Sequence, residues 1–517
     1  MFRFNRTVTL QTRVPFNRRM LSSAEALSNM KRSGLLKECG IINGEERTSA
    51  TTFEVFNPAS QAIIARVPDL NLADLDEAIA GSETAFAQLR RTTGFERAAM
   101  LQKWNELMLK HSEELATIIT LENGKPIAEA RGEVAYAASF LSWFAGEAPR
   151  VYGDVLAPSN ALNRALAIKQ PVGVVGMITP WNFPAAMITR KVAAALAAGC
   201  TSVVKPDAST PLTAIALAKL ALEAGVPSGA LNVVPVSRDG AAEVGKKLSI
   251  DRRVRKLSFT GSTAVGKLLM QQSASSLKKL SLELGGNAPF IVFDDVPDVA
   301  AAAAAAAVSK FRSSGQTCVC ANRIFVQSSI YDEFVERLTD IAQGFTVGEG
   351  FAEGITHGPL IDERALAKVE RHVADAAALG GEILVGGTRT AIDIGPNFYQ
   401  PTVISGATSA MAIAGEETFG PVAGIFKFED EDEVVREANS VDAGLASYVM
   451  SRDVSRVFRV AERLDFGMVG VNTGLISDCA VPFGGVKDSG FGREGSKFGI
   501  DEYLSVKAIT FGGVGLL

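Results

Sequence analysis

Apolar positions between residues 70 and 150 recur at three- and four-residue intervals, notably over Leu72–Arg90 and Glu96–Ile119, and this spacing predicts amphipathic helices. The rhythm changes at residue 171. Val172–Ile178 reads as a strand, followed by a helix over Ala185–Ala198, a strand over Thr201–Val204, a helix over Pro211–Glu223 and a strand over Leu231–Val236. Lys256–Thr260 is a further strand, and a helix opens near Ser262. Such alternation predicts a parallel sheet with helices on both faces, its ligand lying beyond the carboxyl ends of the strands. A second α/β region over 283–480 has strand candidates at Arg323–Gln327 and Val422–Phe428, and the run Ala300–Ala307 predicts a packed helix. Residues 170–189 carry no charge, but Pro171, Pro180 and Pro184 divide them into strand, turn and helix start, so no transmembrane span is expected.

Composition narrows the class. A chain of 517 residues has room for two or three domains with large cores. Its 47% apolar and 21% charged content is that of an ordinary soluble protein, and a net charge of −5 argues against nucleic-acid binding. Five cysteines are too few for a disulfide scaffold and suit a reducing compartment, and three histidines leave little material for a metal site, so no metal is expected. The first 24 residues differ from the rest. They hold Arg3, Arg6, Arg13, Arg18 and Arg19 with several hydroxyl residues and no acid before Glu25, the composition of a mitochondrial transit peptide; a disordered arm or a start at Met20 is the alternative.

Three stretches could carry chemistry. Phe259-Thr-Gly-Ser-Thr263 ends a strand where a helix begins and presents free N–H groups and hydroxyls to an anion; an ordinary N-cap by Ser262 or Thr263 is the plainer reading. Gly315-Gln-Thr-Cys318-Val-Cys320 sets a cysteine after a glycine loop, as an exposed nucleophile or a buried structural thiol. Leu282-Glu283-Leu284-Gly285-Gly286 holds a carboxylate at a strand end, either a general base of raised pKa or an ion-paired glutamate.

Taken together with Thr179-Pro-Trp-Asn-Phe-Pro184, Glu416-Glu-Thr-Phe-Gly-Pro421 and Pro482-Phe-Gly-Gly-Val-Lys487, these segments resemble the aldehyde dehydrogenase superfamily over nearly the whole chain after about residue 37. Within it the chain looks like the succinate-semialdehyde dehydrogenases, through Arg190, Arg312 and Gly492-Arg-Glu-Gly-Ser-Lys497. The resemblance implies an α/β fold with a Rossmann-type cofactor domain (37–151 and 171–282), an α/β catalytic domain (283–485) and oligomerisation segments (152–170 and 486–517), residues 1–36 being an N-terminal arm. It implies NAD(P)-dependent oxidation of succinate semialdehyde to succinate, as in 4-aminobutyrate degradation. Glutarate semialdehyde or a broader aldehyde range is the alternative.

The resemblance also assigns roles. Cys318 would be the nucleophile, Asn182 and the Cys318 N–H the oxyanion donors, and Glu283 the base that activates water. Thr179, Trp181 and Asn182 would line the nicotinamide end, Gly261, Ser262 and Leu284 the cofactor cleft, and Glu417 with Phe419 the ribose beside the nicotinamide. Lys205-Pro206-Asp207-Ala208 would face the adenosine ribose. Ala208 stands where NAD-preferring members commonly have a glutamate, so NADP is slightly favoured over NAD, with Asp207 keeping NAD open. Arg190, about two helical turns beyond Asn182, and Arg312, six residues before Cys318, suit a substrate carboxylate, and Ser477 would add a third contact. Cys320 is either a redox partner of Cys318 or a buried structural thiol. A homotetramer in the mitochondrial matrix is expected, with the cytoplasm as the alternative, and neither membrane nor nucleic acid as partner.

Overall fold

The computed structural model describes residues 22–390 and 395–514. The expected transit segment therefore lies largely outside the described residues. The last part of the N-terminal arm is folded: Ser23–Ser33 is a helix capped by Ser22 and Glu25, with Ala26 and Met30 buried.

Two sheets organise the chain. The first has eight strands in the order Glu45–Arg47, Gly40–Ile42, Leu231–Val233, Thr201–Lys205, Val174–Ile178, Val254–Thr260, Lys279–Glu283, Gly490–Phe491. From Leu231–Val233 to Lys279–Glu283 the neighbours run parallel, with helices Ala186–Ala198, Pro211–Glu223 and Thr263–Ser273 as crossovers. The chain leaves Val174–Ile178 in one direction and returns on its other side through Val254–Thr260, which creates a switch point with a crevice at the carboxyl ends. The second sheet has seven strands, among them Ala288–Val292, Ala321–Gln327 and Val422–Phe428, and is parallel except for its edge strand Glu382–Val385. Asp154–Leu156, Arg164–Pro171 and Leu504–Phe511 form a separate antiparallel sheet whose Val155 and Val506 are 82% and 70% exposed.

The predicted helices form with local adjustments. The 96–119 pattern is two helices, Gly94–Lys110 and Ser112–Asn123, joined at His111, and both pack mainly against helix Ile127–Glu147. The strand expected from Val172 starts at Val174, since Gly173 takes φ +130°. The one expected over Leu231–Val236 ends at Val233. Helix Ala186–Ala198 positions the site and is buried along its whole length. Its free N-terminal N–H groups meet the Glu133 carboxylate, which accepts from Ala185 N at 2.8 Å, and Gly199 closes its other end in the left-handed region.

Candidate active site

The residues proposed for the cofactor gather at the carboxyl ends of the first sheet. Thr179 is buried just past Val174–Ile178, and its N–H donates to Lys205 O at 3.2 Å. Trp181 meets Phe419 edge to face at 5.6 Å, and Phe419 adopts φ +55°. Lys205 ends the next strand, largely buried and without an ion pair among the described residues; burial holds its ammonium below the ordinary value. Asp207 accepts from Ser209 N at 2.8 Å, which ties its carboxylate to the local turn, while Pro206 is buried and Ala208 half-buried. Gly261 N donates to Glu283 O at 3.1 Å, and a Cβ on Gly261 would lie 2.4 Å from the Phe259 ring. Ser262 is the N-cap of Thr263–Ser273, yet its exposed hydroxyl makes no capping bond. Leu284 is buried against Gly266, and Glu417 accepts from Gly286 N at 3.0 Å, its pKa pushed up to about 7 by burial. A helix N-terminus with an idle hydroxyl, an ammonium two strands away with no ion pair among the described residues, and an aromatic pair at the inner end fit a dinucleotide laid across the switch point.

The second sheet delivers the cysteine. Helix Val299–Phe311 ends in a tight turn in which Ser313, Ser314 and Gly315 take φ +50°, +53° and +74°. A Cβ on Gly315 would lie 2.1 Å from Gly420 O, so glycine is required there. The turn is clamped: Ser314 Oγ donates to Gly358 O at 2.9 Å, and the Gln316 side chain accepts from Ile361 N at 3.0 Å. Cys318 follows, half-buried, and among the described residues its N–H has no acceptor. The Asn182 amide donates to Gln316 O at 3.0 Å, which fixes it beside this loop. Burial and the nearby Glu417 carboxylate raise the Cys318 thiol, while Arg190 draws it down. Cys320 is a second free thiol, buried and raised by that burial.

Glu283 is buried, and among the described residues neither of its oxygens has a hydrogen-bond partner. Burial and the Glu494 carboxylate hold its proton well above the usual carboxylate range, against the pull of Arg190, Lys191 and Arg493. An unpartnered buried carboxylic acid of this kind is matched to proton transfer near neutral pH.

Above Cys318 is a throat of about 20 Å³, walled by Arg190, Arg312, Ser477, Tyr136, Phe183 and Phe483. It opens, through Tyr136, Arg312 and Ser477, into a chamber of about 670 Å³ with mostly apolar walls such as Phe311, Phe345 and Leu475. Both expected arginines and the serine thus share one pocket with the cysteine. Lys205 to Ala208 are not in its walls. The two-turn spacing from Asn182 to Arg190 is not how those residues meet, because the helix begins only at Ala186; the turn and the helix converge separately. Arg190 Nε pairs with Glu494 Oε2 at 2.5 Å, whereas Arg312 makes no ion pair among the described residues and stacks over Phe183 at 5.2 Å.

Sequence reasoning missed Tyr136 and His357, and it included Glu494 within the 492–497 motif without giving it a role. Tyr136 lies beside Ser477 and both arginines, and burial raises its hydroxyl. His357 lines the outer chamber with Nε2 unpartnered, its pKa lowered to about 4 by burial. For Glu494 a signal existed: two adjacent cations on the otherwise apolar stretch 185–198 require a buried carboxylate nearby.

The Aldehyde dehydrogenase family model matches residues 45–509. The chain belongs to the aldehyde dehydrogenase family. Among similar proteins, the succinate-semialdehyde dehydrogenase [NADP(+)] 1 of Schizosaccharomyces pombe is 56% identical over 471 residues, 91% of this chain and 94% of that one. A glutarate-semialdehyde dehydrogenase of Pseudomonas putida is 51% identical over 480 residues, 92% of this chain and 98% of that one. Among solved structures, that of a succinate-semialdehyde dehydrogenase from Burkholderia pseudomallei aligns with a TM-score of 0.90 at 52% identity, covering 92% of this chain and 98% of the other. The throat and the dinucleotide crevice are thus parts of an aldehyde dehydrogenase fold.

Proposed function

We propose that this aldehyde dehydrogenase oxidises succinate semialdehyde to succinate with NADP or NAD. The observation that carries the reading is the convergence of Arg190, Arg312 and Ser477 on the narrow throat above Cys318. Guanidinium groups recognise a carboxylate through charge-assisted hydrogen bonds, and a pocket this small suits a short chain. Cys318 attacks the aldehyde carbon, and the Asn182 amide with the Cys318 N–H takes the developing oxyanion. A nicotinamide held by Thr179, Trp181 and Asn182 would supply the hydride acceptor that this oxidation needs. Glu283 then removes a proton from the water that hydrolyses the resulting thioester. Aldehyde, water and oxidised cofactor give acid, reduced cofactor and a proton.

NADP is slightly favoured. Ala208 brings no charge to repel a 2′-phosphate, Lys205 attracts one, and Asp207 is engaged with Ser209 N. Ala208→Glu is expected to raise the KM for NADP and lower that for NAD; an unchanged ratio overturns the assignment. Glutarate semialdehyde is a second reading, supported by the similarity to the Pseudomonas putida enzyme of that name. One methylene changes binding by only roughly 1–3 kcal/mol.

Two further parts of the reading concern assembly and control. The separate three-stranded sheet leaves Val155 and Val506 uncovered, which supports a homotetramer built through it. The Arg-rich start supports import into the mitochondrial matrix, while a cytoplasmic enzyme would keep those residues. Oxidation by peroxide would join Cys318 to Cys320 as a disulfide and remove the nucleophile. Inactivation reversed by dithiothreitol and abolished in Cys320→Ala supports that, and equal sensitivity of the variant overturns it.

The experiment that tests the function is cofactor reduction followed at 340 nm with succinate semialdehyde, using propanal as the uncharged control. Strong preference for the semialdehyde, lost in Arg312→Ala, is expected. Equal rates with propanal would overturn the carboxylate pocket.

A further inference from the structure

Arg190 and Lys191 are adjacent on Ala186–Ala198, and both side chains are fully buried. Both end on one carboxylate: Arg190 Nε lies 2.5 Å from Glu494 Oε2 and Lys191 Nζ lies 2.5 Å from Glu494 Oε1. Lys191 also donates to Ser258 Oγ at 3.1 Å. Glu494 is itself pinned to the throat wall, since its N–H and C=O pair with Phe483, each at 2.8 Å. The Phe483 ring in turn covers the Arg190 guanidinium at 4.0 Å. Arg190 is therefore held from behind by Glu494, while its Nη2, which has no hydrogen-bond partner, belongs to a side chain that lines the throat.

The same segment lies beside the base: Glu283 pairs with Gly490 across neighbouring strands, four residues before Glu494. The charged groups facing Glu283 are Glu494 and Arg493 from the segment before helix Ser496–Asp501, and Arg190 and Lys191 from Ala186–Ala198. Cys318 is near enough for the Glu283 charge to raise its thiol. Lys256, from Val254–Thr260, adds a cation toward Glu494.

We propose that Glu494 is a positioning residue that couples carboxylate recognition to the general base: it competes with the substrate's carboxylate for Arg190 and sets its own charge beside Glu283. This rests on the function proposed above. While Glu494 occupies Arg190, the pocket binds a carboxylate less tightly than two free arginines would, which favours release of a dicarboxylate product. When a substrate carboxylate draws on Arg190, Glu494 loses part of its counter-charge and repels a negative Glu283 more strongly. Glu283 then holds its proton to higher pH. An uncharged aldehyde leaves the Arg190–Glu494 pair intact.

Two measurements decide it. In the wild-type enzyme the acidic limb of kcat against pH is expected at higher pH with succinate semialdehyde than with propanal; coincident limbs overturn the coupling. In Glu494→Gln, the KM for the semialdehyde and the inhibition constant of succinate are expected to fall several-fold while the KM for propanal stays. The acidic limb with propanal moves to lower pH, because an anion is removed and three cations, Arg190, Lys191 and Arg493, remain beside Glu283. A rise of both KM values together, or an unmoved limb, overturns the proposal. If Glu494→Gln does not fold, the wild-type comparison still decides. A wild-type enzyme indifferent between the two aldehydes overturns the function reading instead, and the propanal limb of Glu494→Gln still tests the link from Glu494 to Glu283.

Discussion

The two walls of the throat present the same guanidinium in opposite settings. Arg190 stands on a helix with no exposed residue, paired with Glu494 and roofed by Phe483. Arg312 stands at the end of Val299–Phe311, half-buried, with an aromatic face on one side and no ion pair among the described residues. A buried pair is strongly destabilised when one partner is lost, whereas a partly solvated cation is removed at little cost to the fold. On the function proposed above, Arg190 would serve structure and recognition together, and Arg312 recognition alone.

The largest way to break this contrast is Arg190→Ala. Unfolding is expected to become easier by about 3 kcal/mol, the low end for a broken buried pair because Lys191 still neutralises Glu494. A urea midpoint equal to the wild type would show that the pair is not structural. Arg312→Ala is expected to leave that midpoint unchanged and to raise the KM for succinate semialdehyde about 10–100-fold, the equivalent of roughly 1.5–3 kcal/mol for hydrogen bonds to a charged group. A matching rise in the KM for propanal would mean that Arg312 shapes the throat without reading charge.

The pH profile sharpens the contrast further. With Glu283 as the proposed base, its raised pKa is expected to make activity climb with pH along a limb above the ordinary carboxylate range. Arg190→Ala removes a cation that favours the ionised form and is expected to push that limb higher. Arg312 is not among the groups acting on Glu283, so Arg312→Ala is expected to leave it in place. Equal limbs in both variants would erase the difference between the walls. Ser477→Ala is the smallest expected change, about a 2–10-fold rise in KM for one neutral donor worth roughly 0.5–1.5 kcal/mol.

What was legible beforehand depended on how each residue acts. The parallel sheet, its crossover helices and the strand-end positions Gly261 and Glu283 were readable from the alternation, while Thr179 and Lys205 came from the family resemblance. Arg190, Arg312 and Cys318 were readable as motif members, and the structure brings them into one pocket. Tyr136 was not, because one polar ring in a helix with apolar residues on most sides carries no mark of what it faces. The Arg190–Glu494 pair spans some three hundred residues, and no local pattern encodes such a contact. The half-occupied state of Arg190, which separates the two walls, thus appears only in three dimensions.

Of Arg190, Arg312 and Ser477, Ser477 alone stands in a segment without helix or strand, between Met468–Val471 and Val486–Lys487. Arg190 is tied to a buried helix, and Arg312 precedes a turn that admits few residues at 313–315. Evolution can therefore retune chain length or end-group preference most cheaply at the loop around Leu475 and Ser477. Divergence in substrate range among proteins built on this scaffold should begin there, with the arginines changing last.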